Sequence, residues 1–379
     1  MCKWGKSIVI ITLALLAAWA APVAAAPYIG SGAYCLMDLD SGQVLEGKNL
    51  YQPRPVASTT KIITGILTLE YTALSEEATV SERAARTPPS AIGLRAGQKI
   101  RVEDLLKAAL IESANDATVV LAEHIAGSED MFAHLMTKKA VLLGARSTVF
   151  RNSNGLPNKE HVSTPYDLAL LTRYALRNPV FANIVATRAT AINHPGYPSG
   201  LTLRNTNRLL ERYQGAIGVK TGTTDAAGRC LVAAARRDNR QLVAVVLKSW
   251  DRYADSIRLL NYGFQSFARE KVVDAKDPLK RVRVLDGKQL EVEVYPREGV
   301  VLWLPGDRKN LEKIVDMNFR PRAPLRKGQK IGQLEVRYFG ATVDRVDLVA
   351  GSTVEKEPGG IFRLIYRFYL QVRQEIGER

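Results

Sequence analysis

The chain has 379 residues, a length that suggests two domains or one large one, and 46% of them are hydrophobic, as in an ordinary globular protein. Its 24% of charged residues argues against a disordered chain, and its formal net charge of +15 makes it strongly basic. No zinc-finger spacing, no interleaved aromatic and basic residues and no single basic helix accompany that charge, so nucleic acid is not an expected partner.

Residues 1–25 have the pattern of a secretory signal peptide. Two lysines precede an apolar stretch from Ile8 to Ala21, and small residues follow it. The apolar stretch is too short for a comfortable transmembrane helix, so we expect cleavage between Ala25 and Ala26, with an uncleaved anchor as the alternative. Either way the body is expected outside the cytoplasm, at the outer face of the cytoplasmic membrane or in the cell wall, where anionic lipid or wall polymer meets its positive charge.

Cysteine usage is typical of an exported protein that does not depend on disulfides. Cys2 belongs to the signal segment, which leaves Cys35 and Cys230. Two cysteines allow one bridge and form no framework. Each lies in a run that predicts a buried strand, so we favour two buried free thiols over a disulfide.

Residues 26–270 predict a single α/β unit. Residues 30–48 alternate in hydrophobicity and turn at Asp40-Ser41-Gly42, which is typical of a β-hairpin. Helical patterns dominate from about 58 to 190, one of them ending at Gly127. Strand patterns return as GAIGVKTG, CLVAAARR and QLVAVVLKS, before a last predicted helix at 255–270. Strands at both ends of the unit predict one sheet with the helices packed on it.

Residues 271–357 predict a small all-β domain, because the sequence alternates with period two and turns at Asp286-Gly287. NLEKIVDM, residues 310–317, is the one stretch there that suggests a helix. The tail, residues 358–379, predicts an amphipathic helix that is too short and too charged to span a bilayer. We expect it to lie in the membrane interface, with docking on the β domain as the alternative. Its apolar side is formed by Ile361, Leu364, Ile365, Phe368, Val372 and Ile376.

The stretch PVASTTKIITGILTLE places Ser58 and Lys61 three residues apart at the start of a helical pattern. Ser58 can be an ordinary N-cap ahead of a solvated first turn. A lysine in the first turn is unfavourable, however, because the helix N-terminus carries partial positive charge. Residues i and i+3 share a helix face, so the alternative is a Lys61 amine with a lowered pKa that acts as base for the Ser58 hydroxyl.

Two further motifs favour that alternative. IESANDA supplies Ser113 and Asn115 in a predicted interhelical loop, and GVKTGTT lies at a predicted strand end. The latter supplies Lys220, Thr221, Gly222 and Thr223. Each motif occurs once, and the set S-x-x-K, S-x-N and K-T-G is that of penicillin-binding proteins and related β-lactamases. A helix cap at Asn115 and a plain turn at 220–222 are the structural alternatives.

On these motifs the chain resembles serine-type D-alanyl-D-alanine carboxypeptidases, the low-molecular-mass penicillin-binding proteins. GLPNKEHVSTPYDLALL and NTNRLL are also similar to family sequence, and the resemblance covers most of the mature chain. It implies an antiparallel sheet flanked by helices and an all-helical subdomain, followed by the β domain and the tail. Ala114 stands where glycine is common and Ile217 where a polar residue is common, but neither position performs chemistry.

The resemblance implies that the chain removes the terminal D-alanine from peptidoglycan stem peptides and is acylated by β-lactams. Ser58 is then the nucleophile, Lys61 its base, and Ser113 the group that passes a proton to the leaving amine. Asn115 orients Lys61 and the substrate. The backbone N–H groups of Ser58 and Thr223 form the oxyanion hole. The substrate's carboxylate and backbone are bound by the K-T-G strand, which is formed by Lys220, Thr221, Gly222 and Thr223.

Other interpretations agree less well with these residues. His161 and Asp167 suggest a Ser-His-Asp triad, but a packing histidine is favoured because Lys61 already provides the base. The four histidines have no metal-binding spacing, so neither metal nor cofactor is expected. A class A β-lactamase needs a deacylating glutamate three residues before Leu-Asn, a pattern that is absent. Transpeptidase or endopeptidase activity stays open, and a non-catalytic peptidoglycan-binding module is disfavoured by the intact motifs.

Overall fold

The computed structural model describes residues 26–306, 308–359, 364–365 and 368–369. The predicted signal peptide, residues 1–25, lies outside the described residues, and so does most of the predicted tail helix. None of the helices in the described ranges is long and apolar enough to cross a membrane.

A five-stranded antiparallel sheet lies at the centre of the first unit. Its strands are Ala33–Asp38 (β1), Val44–Lys48 (β2), Ala216–Thr224 (β7), Gly228–Arg237 (β8) and Arg240–Ser249 (β9). They lie in the order β2-β1-β9-β8-β7, so the N-terminal hairpin pairs with the last strand of the unit. The residues of β1 and the middles of β8 and β9 are buried, which explains their nearly continuous apolar sequences. The predicted hairpin and single sheet are confirmed.

Helices cover both faces of this sheet. They are Lys61–Tyr71 (α1), Glu82–Ala85 (α2), Val102–Lys107 (α3), Asn115–Ala126 (α4), Glu129–Leu142 (α5), Pro165–Ala175 (α6), Pro179–Ala186 (α7), Leu209–Arg212 (α8) and Arg252–Gln265 (α9). Two small hairpins lie among them: Glu77–Thr79 (β3) with Lys99–Arg101 (β4), and Ala189–His194 (β5) with Tyr197–Arg204 (β6). Helix α1 is buried over its first eight residues and packs in the larger core on one face, while α9 packs on the other. The predicted helix end at Gly127, φ +75°, is confirmed.

A second unit follows α9 and is built of strands. They are Ala268–Val273 (β10), Lys280–Arg283 (β11), Glu291–Pro296 (β12), Val300–Leu304 (β13), Leu311–Met317 (β14), Lys330–Tyr338 (β15) and Ala341–Ala350 (β16). Five of them form an antiparallel sheet in the order β11-β12-β16-β15-β14, and β10 pairs with β13. The unit has its own apolar core. We call it the β domain.

Polar contacts join the β domain to the first unit. The Gln43 side-chain amide donates to the Trp303 carbonyl at 2.6 Å and accepts from the Trp303 N–H at 2.9 Å. The Arg240 guanidinium lies 3.6 Å from the centroid of the Trp303 ring and also pairs with the buried carboxylate of Asp38. These contacts fix the β domain against the end of the main sheet at which β1 ends and β9 begins.

Two sequence predictions about helices are wrong in detail. The predicted helix at 255–270 ends at Gln265, because the chain turns there and residues 268–273 pair with β13. The stretch NLEKIVDM is strand β14, paired along its length with β15. Its apolar residues are spaced as i, i+3 and i+4, which also suits a helix, but tertiary pairing and the β-branched Ile314-Val315 pair favour the strand.

Both predicted free thiols are confirmed. Cys35 in β1 and Cys230 in β8 are buried and unbridged. Burial raises the pKa of the Cys35 thiol above its usual range and that of Cys230 to about 11. A buried, protonated thiol is a poor nucleophile, so both cysteines act as small apolar side chains.

Gly155 allows the loop after α5 to touch the turn that holds Ser58. Its φ is +89°, and a Cβ there would lie 2.0 Å from the Ala57 carbonyl oxygen. Gly97 has a similar φ of +79° but nothing within 4 Å of its Cβ position. We therefore expect Gly97→Ala to lower the free energy of unfolding by about 1–2 kcal/mol and Gly155→Ala by clearly more, as measured by urea denaturation. Equal decreases in the free energy of unfolding of the two variants would show that the close approach of Gly155 to Ala57 is unimportant.

Candidate active site

Ser58 lies in one 3-10 turn, Ala57–Thr60, that leads directly into α1. Thr60, not Ser58, occupies the N-cap position of α1, and its side chain makes no capping hydrogen bond. The interpretation of Ser58 as an ordinary N-cap is therefore wrong. Ala57 has a φ of +49°, a left-handed conformation that non-glycine residues seldom adopt outside constrained sites. The tight turn aims the Ser58 hydroxyl back toward Lys61 on the same face.

The Lys61 amine is fully buried and has three hydrogen-bond partners. Its Nζ lies 3.0 Å from Ser58 Oγ, 2.7 Å from Asn115 Oδ1 and 3.0 Å from the carbonyl oxygen of Asn154. All three partners are neutral oxygens. The structure thus brings Ser58, Lys61 and Asn115 together, as the sequence predicts.

Burial and a second lysine lower the pKa of Lys61. Desolvation is the larger cause and the positive charge of Lys220 the next, while Asp116 opposes them by raising it. The result is a Lys61 pKa well below the usual value of 10.5. Burial, followed by repulsion from Arg252, also lowers the pKa of Lys220 to about 7. An amine with a lowered pKa is available as a base near neutral pH.

The second motif follows an unusual helical turn. Residues Ala108–Glu112 form a π-helical turn that ends at Ser113, whose φ is +71°. Asn115 then begins α4, and its amide has both ends fixed, since Nδ2 donates to the Pro88 carbonyl at 3.0 Å. Ser113 lies two residues away and is buried, but its hydroxyl forms no direct hydrogen bond to Ser58 or Lys61 among the described residues.

The third motif lies on β7, which is one of the two edge strands of the main sheet. Gly222 packs against the Ser58 turn so closely that a Cβ would lie 2.9 Å from Ser58 N. The Thr221 hydroxyl lies 2.8 Å from that of Thr206, and Lys220 Nζ donates to the Thr221 carbonyl at 3.1 Å. Outward polar groups on an unpaired strand edge can bind an extended peptide.

Arg252 was missed by the sequence reasoning. It begins α9, and its Nη1 donates to the Gly222 carbonyl at 3.0 Å and to Thr223 Oγ1 at 2.9 Å. The sequence carried one usable signal, because an arginine in the first turn of a helix meets the same unfavourable dipole as Lys61. With Lys220, Arg252 makes the end of β7 a positive site for an anionic group.

The hydrogen bonds that hold the loop at Ser153 and Asn154 next to Lys61 were also not predicted. Ser153 donates to Glu129 Oε1 through its N–H at 3.0 Å and its hydroxyl at 2.7 Å, and its carbonyl accepts from Thr64 Oγ1. Arg83 pairs with the other oxygen of Glu129. These bonds fix the loop that presents the Asn154 carbonyl to Lys61. A backbone acceptor has no sequence signature, so this partner was not predictable.

His161 is a packing residue, as the favoured interpretation states. Its Nδ1 accepts from the Arg151 N–H, so in the neutral ring Nε2 carries the proton and donates to Thr60 Oγ1 at 2.8 Å. Burial lowers the pKa of His161 to about 4, which keeps the ring neutral. Asp167 instead accepts from Ser147 and Thr148. Within the described ranges, no group of His, Cys, Asp and Glu residues has metal-binding geometry.

A serine next to a buried lysine amine, under the edge strand of a helix-flanked antiparallel sheet, defines the penicillin-interacting class of serine acyl-transfer enzymes. A family profile for D-alanyl-D-alanine carboxypeptidases matches residues 20–250, and one for the C-terminal domain of penicillin-binding protein 5 matches residues 267–356. The chain belongs to the D-alanyl-D-alanine carboxypeptidase family.

Similar proteins and structures agree with this membership. The chain is 32% identical to the D-alanyl-D-alanine carboxypeptidase DacF of Bacillus subtilis over 85% of each chain. It is 32% identical to DacC of Escherichia coli, over 91% of this chain and 89% of that one. The crystal structure of DacD from Francisella tularensis superposes with a TM-score of 0.70 at 25% identity, over 93% and 97% of the two chains. The predicted family and fold class are thus confirmed.

The lowered pKa of Lys220 predicts a pH-dependent stability. A lysine whose folded pKa is about 7 and whose unfolded pKa is about 10.4 destabilises the fold fully below pH 7, and this cost declines as pH rises above 7. We therefore expect Lys220→Met to raise the free energy of unfolding at pH 7 and to reduce its increase between pH 7 and 10, as measured by urea denaturation. Lys138→Met, at an exposed site on α5, is the control. If the free energy of unfolding rose equally with pH in both variants, the lowered pKa of Lys220 would be contradicted.

Proposed function

We propose that the chain is a carboxypeptidase that removes the terminal D-alanine of a peptidoglycan stem peptide through an acyl-enzyme on Ser58. The observation that carries this proposal is the Lys61 amine, which is buried among neutral oxygens and lies 3.0 Å from the Ser58 hydroxyl. Family membership supports the substrate, since the matching profile and relatives are named for D-alanyl-D-alanine carboxypeptidase.

The geometry suits Lys61 in its neutral form as the base. A neutral amine has two N–H donors and one lone pair. The two carbonyl oxygens, Asn115 Oδ1 and Asn154 O, can accept the two N–H groups. The lone pair is then left for the Ser58 O–H. Ser58 Oγ attacks the carbonyl between the two D-alanines as Lys61 takes its proton.

Collapse of the tetrahedral intermediate breaks the C–N bond and releases D-alanine. The leaving nitrogen needs a proton, and we assign its delivery to Ser113, which lies two residues before Asn115, the hydrogen-bond partner of Lys61. The backbone N–H groups of Ser58 and Thr223 would stabilise the oxyanion, and losing one such donor typically costs about 100- to 1000-fold in rate. Water then attacks the Ser58 ester and frees the shortened peptide.

The positive end of β7 supports binding of the substrate's terminal carboxylate. Lys220 provides charge, Thr221 and Thr223 provide hydroxyls, and Arg252 extends the same positive region. Gly222 lacks a side chain, so the strand can lie directly against the Ser58 turn, with Thr221 and Thr223 on either side of this contact. A β-lactam presents a carboxylate and a reactive carbonyl in the same relation, which makes it a substrate mimic.

Two experiments separate this function from its alternatives: acylation by penicillin, and analysis of the products released from a synthetic pentapeptide. A β-lactamase would hydrolyse penicillin rapidly, without a long-lived adduct and without releasing D-alanine. A transpeptidase would pass the acyl group to an added amino acid, and an endopeptidase would cut cross-linked dimers. An inert binding module would form no adduct at all.

We expect Ser58→Ala to abolish the covalent penicillin adduct and the release of D-alanine from a synthetic pentapeptide, because Ser58 is the one hydroxyl that hydrogen-bonds to Lys61 among the described residues. The readouts are intact-protein mass spectrometry and D-alanine assay. Ser75→Ala, at an exposed site, is the matched control and should keep both activities. An adduct on a residue other than Ser58 would overturn the assignment.

We further propose that the tail, residues 358–379, holds the protein on the outer face of the cytoplasmic membrane. The described residues at 364–365 and 368–369 are helical, and Leu364, Ile365, Phe368 and Tyr369 are 57–72% exposed. Exposed large apolar side chains in a basic amphipathic segment favour the membrane interface over docking on the β domain.

Deletion of residues 361–379 is expected to abolish sedimentation with vesicles that contain phosphatidylglycerol, while hydrolysis of a soluble pentapeptide stays within about twofold of the intact chain. Vesicle binding that survives the deletion would contradict the proposed anchor. A truncated chain that no longer folds, as judged by circular dichroism, would favour docking on the β domain instead.

A further inference from the structure

The chain leaves the β domain at the end opposite its contacts with the first unit. Register pairs place Arg283 beside Glu291, Met317 beside Gly332 and Val294 beside Ala350. The connections 284–290 and 318–329 and the exit segment 351–357 therefore share one end of the five-stranded sheet. We call these three segments the distal end. The opposite end holds the turn at Phe339, whose carbonyl accepts from Tyr51 of the first unit.

The distal end is rich in exposed cations. Segment 318–329 contains four of them and no carboxylate: Arg320, Arg322, Arg326 and Lys327. Arg322 lies 3.8 Å from Asp286. Among the residues that the structure describes, no carboxylate pairs with Arg320, Arg326 or Lys327. Cations without partners keep their full attraction for an external anion.

Apolar side chains lie beside these cations. Phe319 is 49% exposed and Leu290 is 61% exposed. The amine of Lys280 lies 5.2 Å from the Phe319 ring centroid, so a further cation flanks the aromatic ring. A surface that mixes unpaired cations with exposed aromatic and aliphatic groups matches a membrane interface better than a purely ionic polymer.

The tail begins at this same end. Lys356 forms a bridge with Gly287, and the Glu357 N–H donates to the Asp286 carbonyl, so residue 358 leaves from the distal end. A tail lying in the membrane would hold the distal end against the same surface.

We propose that the distal end is a second membrane contact, in which Arg320, Arg326 and Lys327 bind anionic lipid headgroups and Phe319 enters the headgroup boundary. The proposal rests on the proposed membrane anchoring of the tail, but it assigns separate residues and a separate role. Two contacts fix the orientation of the β domain on the membrane, whereas a tail alone would let it pivot.

The test compares two triple variants of the full mature chain with the same loss of charge. The distal variant is Arg320→Gln, Arg326→Gln, Lys327→Gln. The control variant changes exposed cations of the first unit, Arg95→Gln, Lys99→Gln, Arg146→Gln. We expect the distal variant to bind equimolar phosphatidylglycerol–phosphatidylcholine vesicles about 10- to 100-fold more weakly, with the control within about twofold of wild type. Soluble pentapeptide hydrolysis should be unchanged in both.

A further variant, Phe319→Ser, tests the apolar part of the contact. It should still weaken binding in 1 M salt, where charges are screened within about 3 Å. Wild-type vesicle binding by the distal variant, or equal losses in both triple variants, would overturn the proposal. So would tighter binding of wild type to a soluble poly(glycerol phosphate) than to vesicles. Failure of the proposed tail anchor is detected separately, because only the variant that lacks residues 361–379 removes the tail.

Discussion

Two lysine amines buried in one site, with neutral oxygens as hydrogen-bond acceptors, are the constraint on which the rest of the structure depends. Burying an ammonium ion away from water and carboxylates is strongly unfavourable, and two of them repel each other. Lys61 and Lys220 therefore lose protons more readily than free lysines do. The fold must stabilise this arrangement elsewhere, and it does so with a large apolar core on one face of the main sheet.

The residues that hydrogen-bond to Lys61 all present oxygen atoms that carry no negative charge. The π-helical turn before Ser113 aims the Asn115 amide, and the Pro88 carbonyl fixes its orientation. The loop at Ser153 presents a backbone carbonyl, and the buried carboxylate of Glu129 holds that loop from behind. A carboxylate placed directly on Lys61 would have formed a simple ion pair and raised its pKa. Glu129 instead binds Ser153, and burial together with Lys220 lowers the pKa of the Lys61 amine.

Interactions between residues close together in the sequence could be predicted, whereas contacts between residues far apart in the sequence could not. Ser58 and Lys61 could be paired because three residues along a helix define a common face. The carbonyl of Asn154 is 93 residues from Lys61, and Arg252 is 29 from Thr223, so no pattern predicted either contact. Strand β14 was misassigned because its apolar spacing suits helix and strand alike, and pairing with β15 decided between them. The strand patterns at both ends of the unit predicted a single sheet, but the order of its strands was not predicted.

The edge position of β7 has a consequence for solubility as well as for catalysis. An unpaired strand edge is a template on which a second copy of the chain can extend the sheet, which is a route to aggregation. The protein limits this hazard by crowding the edge, since the Ser58 turn, α7 and α8 all pack against β7. The same turn that positions the nucleophile thus also protects the folded protein from self-association.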